Sequence, residues 1–435
     1  MTTSLPPVRR PLAGTTVVDF SQFLAGPVAA LRLGDLGARV IKVERPAGGD
    51  LARRLEFAGL SADGDSVSFH AMNRGKESLA ADLKHPEDLA LVRRVVERAD
   101  VLVENFRPGV MARLGLDYES VRRLNPRLVY ASVSGYGTSG AWAAKPGQDL
   151  LAQSLSGLPW LSGERGAPPV PLGLSIADHL ASCHLALGVA ALLVRRERTG
   201  EGGLVETSLL EGMLDLQFEL LTARFTSPDF QPLRAGRHAA NAYLAAPYGV
   251  YPTADGHLAL AMNPVPRLGE LLGIGELLRF EDPGSWWERR DEIIALLAAH
   301  LAGRPTDEVL ELLEPADVWC APVLTLEALA RSEGFSAIEM MQRVTRQPAA
   351  GRGAPTEVIT TRSPLRIDGA LLSSGRGAPR LGADSEAVRD EVGSPGPAGG
   401  RSSDVGHGGE GRRGEGRRGD NGHGGNNGHS GGGGR

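Results

Sequence analysis

Cysteine is nearly missing from this chain of 435 residues: Cys183 and Cys320 are the only two. So few thiols build no disulfide framework, and no CxxC pair offers a metal clamp, so a reducing compartment and a cytoplasmic protein are expected. No His/Asp cluster has ligand spacing, and no metal is expected. Aromatic residues are scarce, at 5%. Charge of one sign is also lacking: the net charge is -5, so no polyanion partner is expected for the chain as a whole. The first residues, Met-Thr-Thr-Ser-Leu-Pro-Pro-Val-Arg-Arg, lack the apolar core of a signal peptide. The longest apolar run follows Asp178, is interrupted by His179 and His184 and ends at Arg195, so no transmembrane segment is expected.

One more absence concerns the first fold unit. Thr15-Thr-Val-Val-Asp-Phe20 reads as a buried strand, Val28 to Leu36 as a helix opened by Pro27, and Arg39-Val-Ile-Lys-Val-Glu44 as the next strand. This is a β-α-β unit, yet its turn reads Ser-Gln-Phe-Leu-Ala-Gly-Pro and not GxGxxG, which disfavours a nicotinamide-type dinucleotide site.

What is present is alternation. Glu77 to Asp82 reads as an edge-like strand, Pro86 to Ala99 as an amphipathic helix, Asp100 to Phe106 and Leu128 to Ser134 as strands, and Gln148 to Gly157 as a helix. Strand and helix alternate to about residue 210, the pattern of a Rossmann-like doubly wound parallel sheet in an α/β protein. Tyr248 to Ala261 reads as a hairpin turning at Ala254-Asp255-Gly256. We expect a large α/β domain over 8–225, a linker and smaller α+β domain over 226–335, and a return segment to the large domain over 336–393. Residues 394–435 are rich in Gly, Arg and His and are expected to be disordered. Their RGG-like spacing suits RNA contact, but interspersed acids favour inert low complexity.

The stretch from Pro171 to Gly200 organises the rest. After Asp178 it is mostly Ala, Leu and Val, then Arg195, Arg196 and Arg198, then Gly200: a helix with an acid at its start, bases in its last turn and glycine past its end. Its apolar residues wrap most of the surface, so deep burial is expected. A carboxylate at such a helix mouth is stabilised as the anion and suits a nucleophile, although Asp is also an ordinary N-cap and both readings stay open here.

Several stretches together resemble the family III CoA-transferases, the group of formyl-CoA transferase, carnitine CoA-transferase and α-methylacyl-CoA racemase. They are Pro11-Leu-Ala-Gly-Thr-Thr-Val-Val-Asp-Phe-Ser, Ala25-Gly-Pro, Leu36-Gly-Ala-Arg-Val-Ile-Lys-Val-Glu-Arg-Pro, Asn73-Arg-Gly-Lys-Glu-Ser, Ala99-Asp-Val-Leu-Val-Glu-Asn-Phe-Arg-Pro-Gly, Ala131-Ser-Val-Ser-Gly-Tyr-Gly, Ala177-Asp178, Arg198-Thr-Gly and Pro247-Tyr-Gly-Val-Tyr-Pro-Thr-Ala-Asp-Gly. Their order and spacing carry the likeness, which excludes the tail. The resemblance implies that Asp178 is the nucleophile and that Gly135, Tyr136 and Gly137 form an active-site turn. It implies coenzyme A contacts at Gln22, Phe23, Leu24, Ala25, Arg45, Lys76, Asn105, Phe106 and Arg113, with acyl-CoA and a carboxylic acid as substrates and an interlocked homodimer as the assembly.

The implied chemistry is CoA transfer through aspartyl anhydride and thioester intermediates, with N–H groups of the Ser134–Gly137 turn or the helix start receiving the oxyanion. A 2-methylacyl-CoA racemase is the rival, but Gln148 stands where its second acid–base histidine would be, and glutamine cannot deprotonate carbon. A catalytically silent CoA-binding protein is the other alternative, against which the retained Asp178 argues. Ser134 replaces the lysine of the formyl-CoA branch, and no glycine-run lid lies between Phe225 and Tyr248, so a bulkier acid than formate or oxalate is expected.

Overall fold

The computed structural model describes residues 10–349 and 353–393. The expected disordered segment 394–435 lies outside the described residues. The centre is a six-stranded sheet of β1 Thr16–Asp19, β2 Arg39–Glu44, β3 Glu77–Ala80, β4 Val101–Glu104, β5 Val129–Ser134 and β6 Gly203–Ser208. The strand order is β3-β2-β1-β4-β5-β6 and every pairing is parallel. The order reverses between β1 and β4, where Val17 pairs with Val101 and Asp19 with Val103. In sheets of this type the crevice outside the strand ends at that switch point receives ligands. The protein is an α/β fold built on a parallel central sheet.

Strand side chains alternate between two faces, and each face has its own core. On one face Val17, Val40, Val101, Val129 and Val133 meet helix α1 (Ala25–Asp35) and the long helix α4 (Ile176–Thr199). On the other, Val18, Ile41, Leu79, Leu102 and Tyr130 meet helix α2 (Pro86–Arg98) through Leu91, Val92, Val95 and Val96. The continuous apolar strands follow from burial on both faces. Helix α3 (Asp149–Ser156) and helix α5 (Leu209–Leu216) lie beside α4. Helix α5 ends at Gln217, whose side chain donates to Met213 O at 2.9 Å and Ser156 O at 3.2 Å, and a further helix, Phe218–Thr226, continues beyond it.

Two expectations about α4 are corrected. It begins at Ile176, so Asp178 is its third residue and not its cap. Only one stripe is buried, Ala177, Ala181, Leu185, Val189 and Leu193, while Leu187 is 69% and Val194 56% exposed. That four-residue spacing sets one row against α1 and the sheet and leaves the far side open. By length and composition alone α4 is long and apolar enough to cross a membrane, but its buried stripe belongs to the first core.

The expected hairpin is present as β7 (Gly249–Pro252) and β8 (His257–Leu260), and β9 (Cys320–Pro322) adds to β8 in an antiparallel sheet. Its core gathers Tyr251, Leu258, Leu260, Leu268, Phe280, Ile293, Leu297 and Leu313. Further on, Met341–Arg346 pairs with Thr356–Thr361, and the helix Ser385–Gly393 packs on α2 through Val388 and Val392.

Candidate functional site

The turn after β1 is held from within. Asp19 ends the strand fully buried and accepts from Ser21 N–H at 2.9 Å, the Ser21 hydroxyl and Lys76 Nζ at 2.8 Å. Burial alone would raise the Asp19 carboxyl, but the ammoniums of Lys42 and Lys76 overcome that and hold it below its usual range. Lys42 Nζ donates to Ser21 O at 2.7 Å and pairs with Asp50 at 2.9 Å. Asp50 in turn accepts from Phe23 N–H at 3.2 Å. From the neighbouring strand end, Asn105 accepts from Gln22 N–H and donates to Gln22 O, both at 2.8 Å. So clamped, Phe23 keeps a left-handed φ of 62°, a conformation that costs a non-glycine residue on the order of 1–3 kcal/mol. Gly26 is required just beyond, because a Cβ there would lie 2.2 Å from Ser21 Cβ.

The turn after β5 is shaped by another close approach. A Cβ on Gly135 would lie 2.6 Å from Gly147 Cα, so two backbones cross there and both must be glycine. The crossing presses the loop before α3 against the strand ends. Tyr136 strengthens it by donating its hydroxyl to Pro146 O at 3.1 Å. Asp149 follows, and its Oδ1 accepts from Ala177 N–H at 2.7 Å and from Asp178 N–H at 3.3 Å.

Together these pieces enclose a cavity of about 580 Å³ at the strand ends. Asp178 and Asp149 line it, with Phe23, Leu24, Ala25, Asn105, Phe106, Ser134 and Gly135. A smaller crevice beside it is lined by Gln22, Arg45, Lys42, Leu83 and Phe106, so Phe106 borders both. Ser182 Oγ bonds Ala25 O at 2.7 Å and Asp178 O at 2.6 Å, fixing the first turn of α1 to the first turn of α4.

Asp178 is raised to about 7, first by desolvation in the cavity wall and then by the charge of Asp149. The expectation of an aspartate fully ionised at neutral pH is therefore corrected. The helix-start N–H groups that would have stabilised its anion are spent on Asp149, and Ile176 N–H bonds Leu174 O at 2.9 Å. The same bonds remove the helix start as an oxyanion site. Gly137 N–H is also taken, by Ser134 Oγ at 2.9 Å.

The structure brings Phe23, Leu24, Ala25, Asn105, Phe106, Gly135 and Asp178 to one cavity, and Gln22 and Arg45 to the adjoining crevice. It does not bring Lys76 there. That ammonium is buried and donates to Asp19 Oδ2, Pro27 O and Asn73 Oδ1, each at 2.8 Å, so its three donors are spent inside the protein and none meets a phosphate. Arg113 is exposed on the short helix Val110–Leu114 and lines neither space. Tyr136 and Gly137 stand behind the wall as supports of the loop crossing. Sequence reasoning missed Arg107, Lys145 and Asp149, all on the cavity wall. An acid opening the helix Gln148–Gly157 was a visible signal for Asp149, but which helix it caps is a tertiary fact.

A doubly wound sheet with a desolvated carboxylate in a cavity at its switch point defines an α/β protein built for covalent or acid–base work on a bound ligand. The family model described as CoA-transferase family III matches residues 12–385. A succinate–glutarate CoA-transferase of Agrobacterium fabrum is 34% identical over 90% of this chain and 98% of its own length. An acetyl-CoA:oxalate CoA-transferase of Acetobacter aceti is 34% identical over 88% of this chain and 96% of its own. The crystal structure of a CAIB/BAIF family protein from Brucella suis matches with a TM-score of 0.74 and 31% identity, covering 88% of this chain and 99% of that one. The chain belongs to CoA-transferase family III and is a CoA-transferase enzyme.

Proposed function

We propose that the protein moves CoA from an acyl-CoA to a dicarboxylic acid through covalent intermediates on Asp178. The observation that carries the reading is the placement of Asp178 in a desolvated cavity at the switch point, beside a crevice bearing Arg45. The relatives named for succinate and glutarate, oxalate and mesaconate support a dicarboxylic acceptor.

An Asp178 oxygen attacks the thioester carbonyl; the C–O bond forms, the C–S bond breaks, and CoA leaves as thiolate. The thiolate attacks the Asp178 carbonyl carbon and expels the donor acid as carboxylate. The acceptor carboxylate then attacks this aspartyl thioester and releases the thiolate again. Thiolate attack on the acceptor carbonyl yields the new acyl-CoA and restores Asp178. Each step returns the electron pair that the previous one took, and no net proton is consumed. Gln153 helps fix Asp149 beside the nucleophile, donating to its Oδ2 at 2.7 Å. Gln148, at the place of a racemase histidine, caps α3 by accepting from Leu150 N–H at 2.9 Å.

The test is mass spectrometry of protein quenched with acyl-CoA. Added CoA or acyl mass is expected on the peptide holding Asp178 and none in Asp178→Ala; turnover retained by Asp178→Ala would end the reading. A homodimer is part of the proposal, supported by the open side of α4 with Leu187 and Val194, and light scattering of the full chain checks it.

A further inference from the structure

The cavity carries two cations that no acid among the described residues neutralises. Arg107 and Lys145 both line it, both are exposed, and neither side chain has a hydrogen bond or ion pair with another described residue. Meanwhile Asp149 and Asp178 lie on the same wall, so an incoming acid with two negative charges meets repulsion unless a cation offsets it.

The two cations come from different segments of the chain. Arg107 directly follows Phe106, which borders both the cavity and the crevice of Gln22 and Arg45. Lys145 belongs to the loop that leads to Asp149. Its own N–H bonds Trp142 O at 2.9 Å, the neighbouring Pro146 O accepts from Tyr136, and Gly147 is pressed against Gly135. The backbone is thus pinned around Lys145 while its ammonium has no partner among the described residues. The rest of the wall mixes apolar Val133, Ala143, Pro146 and Leu209 with the neutral donors Ser134, Gln148 and Ser175, none of which carries a positive charge. A carboxylate desolvated there without a cation would be strongly disfavoured.

We propose that Lys145 selects the acceptor: its ammonium receives the distal carboxylate of a dicarboxylic acid whose other carboxylate reacts at Asp178. This rests on the CoA-transfer reading above. An ammonium on a flexible stem acts as a point charge and tolerates several chain lengths, unlike the fixed fork of a guanidinium.

The test uses the full chain with acetyl-CoA or succinyl-CoA as donor and straight-chain mono- and dicarboxylates of equal carbon number, oxalate included, as acceptors. In Lys145→Gln the KM for dicarboxylates is expected to rise about tenfold or more, as for loss of a charged hydrogen bond, with monocarboxylates unmoved. Lys145→Arg is expected to recover most of the preference, and the KM for acetyl-CoA to stay unchanged in both variants. An unchanged ratio of dicarboxylate to monocarboxylate KM in Lys145→Gln would overturn the proposal while leaving CoA transfer intact. A uniform rise in the KM for acetyl-CoA would overturn it too, assigning Lys145 to the CoA side. Absence of transfer to every acid in the wild type would instead remove the CoA-transfer reading, and this proposal with it.

Discussion

Asp149 Oδ1 accepts the main-chain N–H of Asp178 at 3.3 Å and that of Ala177 at 2.7 Å, so one acid occupies the helix mouth that the other was expected to use. The consequence is electrostatic. The dipole and donors at the start of α4 stabilise Asp149, and the Asp149 charge then opposes ionisation of Asp178.

The pH profile follows. A nucleophilic aspartate must be ionised, and Asp178 sits at about 7, so kcat/KM is expected to rise with pH and level off above that value. In Asp149→Asn the Asp149 charge is gone, and the midpoint is expected to move to lower pH. Initial rates from pH 5 to 9 check this, and an unmoved midpoint would exclude Asp149 as a cause. Stability has the opposite sign. A raised carboxyl binds more protons folded than unfolded, so this group's contribution falls as pH rises from the ordinary carboxylate range through about 7.

Lys76→Met tests the corrected role of that lysine. Removing the ammonium leaves buried Asp19 with Lys42 at 3.8 Å as its remaining cation. Breaking a buried pair in this way costs about 3–5 kcal/mol. Denaturant unfolding is expected to show that loss. A variant of unchanged stability with weakened CoA binding would restore Lys76 to a ligand role.

Gly135→Ala is expected to disable the enzyme by displacing the loop that bears Lys145 and Asp149, since its Cβ would sit 2.6 Å from Gly147 Cα. Overpacking of this kind costs roughly 1–3 kcal/mol, so the fold should survive. The expected signature is a drop in transfer rate larger than the shift in melting temperature explains. A fully active variant would show that the crossing is not needed.

Arg45 is exposed at the end of β2, on the crevice beside the cavity. If it meets a CoA phosphate, Arg45→Ala weakens CoA binding by about 10-fold, the scale of a charge-assisted hydrogen bond, and reduces the salt dependence of binding. Calorimetric titration with CoA at two salt concentrations reads both.

Local signals carried much of the fold. The buried strands β1, β2, β4 and β5, the hairpin at Asp255-Gly256 and the long helix stopped at Gly200 follow from short-range periodicity and from turn and cap residues. Residue order also marked Asp178 as the acid to examine. Which acid receives the helix N–H groups depended on a loop 28 residues earlier crossing back at Gly135 and Gly147. The fate of Lys76 was equally hidden, because a lysine after a turn reads as exposed until Asp19, 57 positions away, is seen to hold it. The chain alone therefore determined its elements and its reactive residue types, because those rest on neighbours in sequence. Only the tertiary structure decided which charges neutralise one another inside and which are left facing the cavity, because electrostatic pairing depends on distance in space and on exclusion of water.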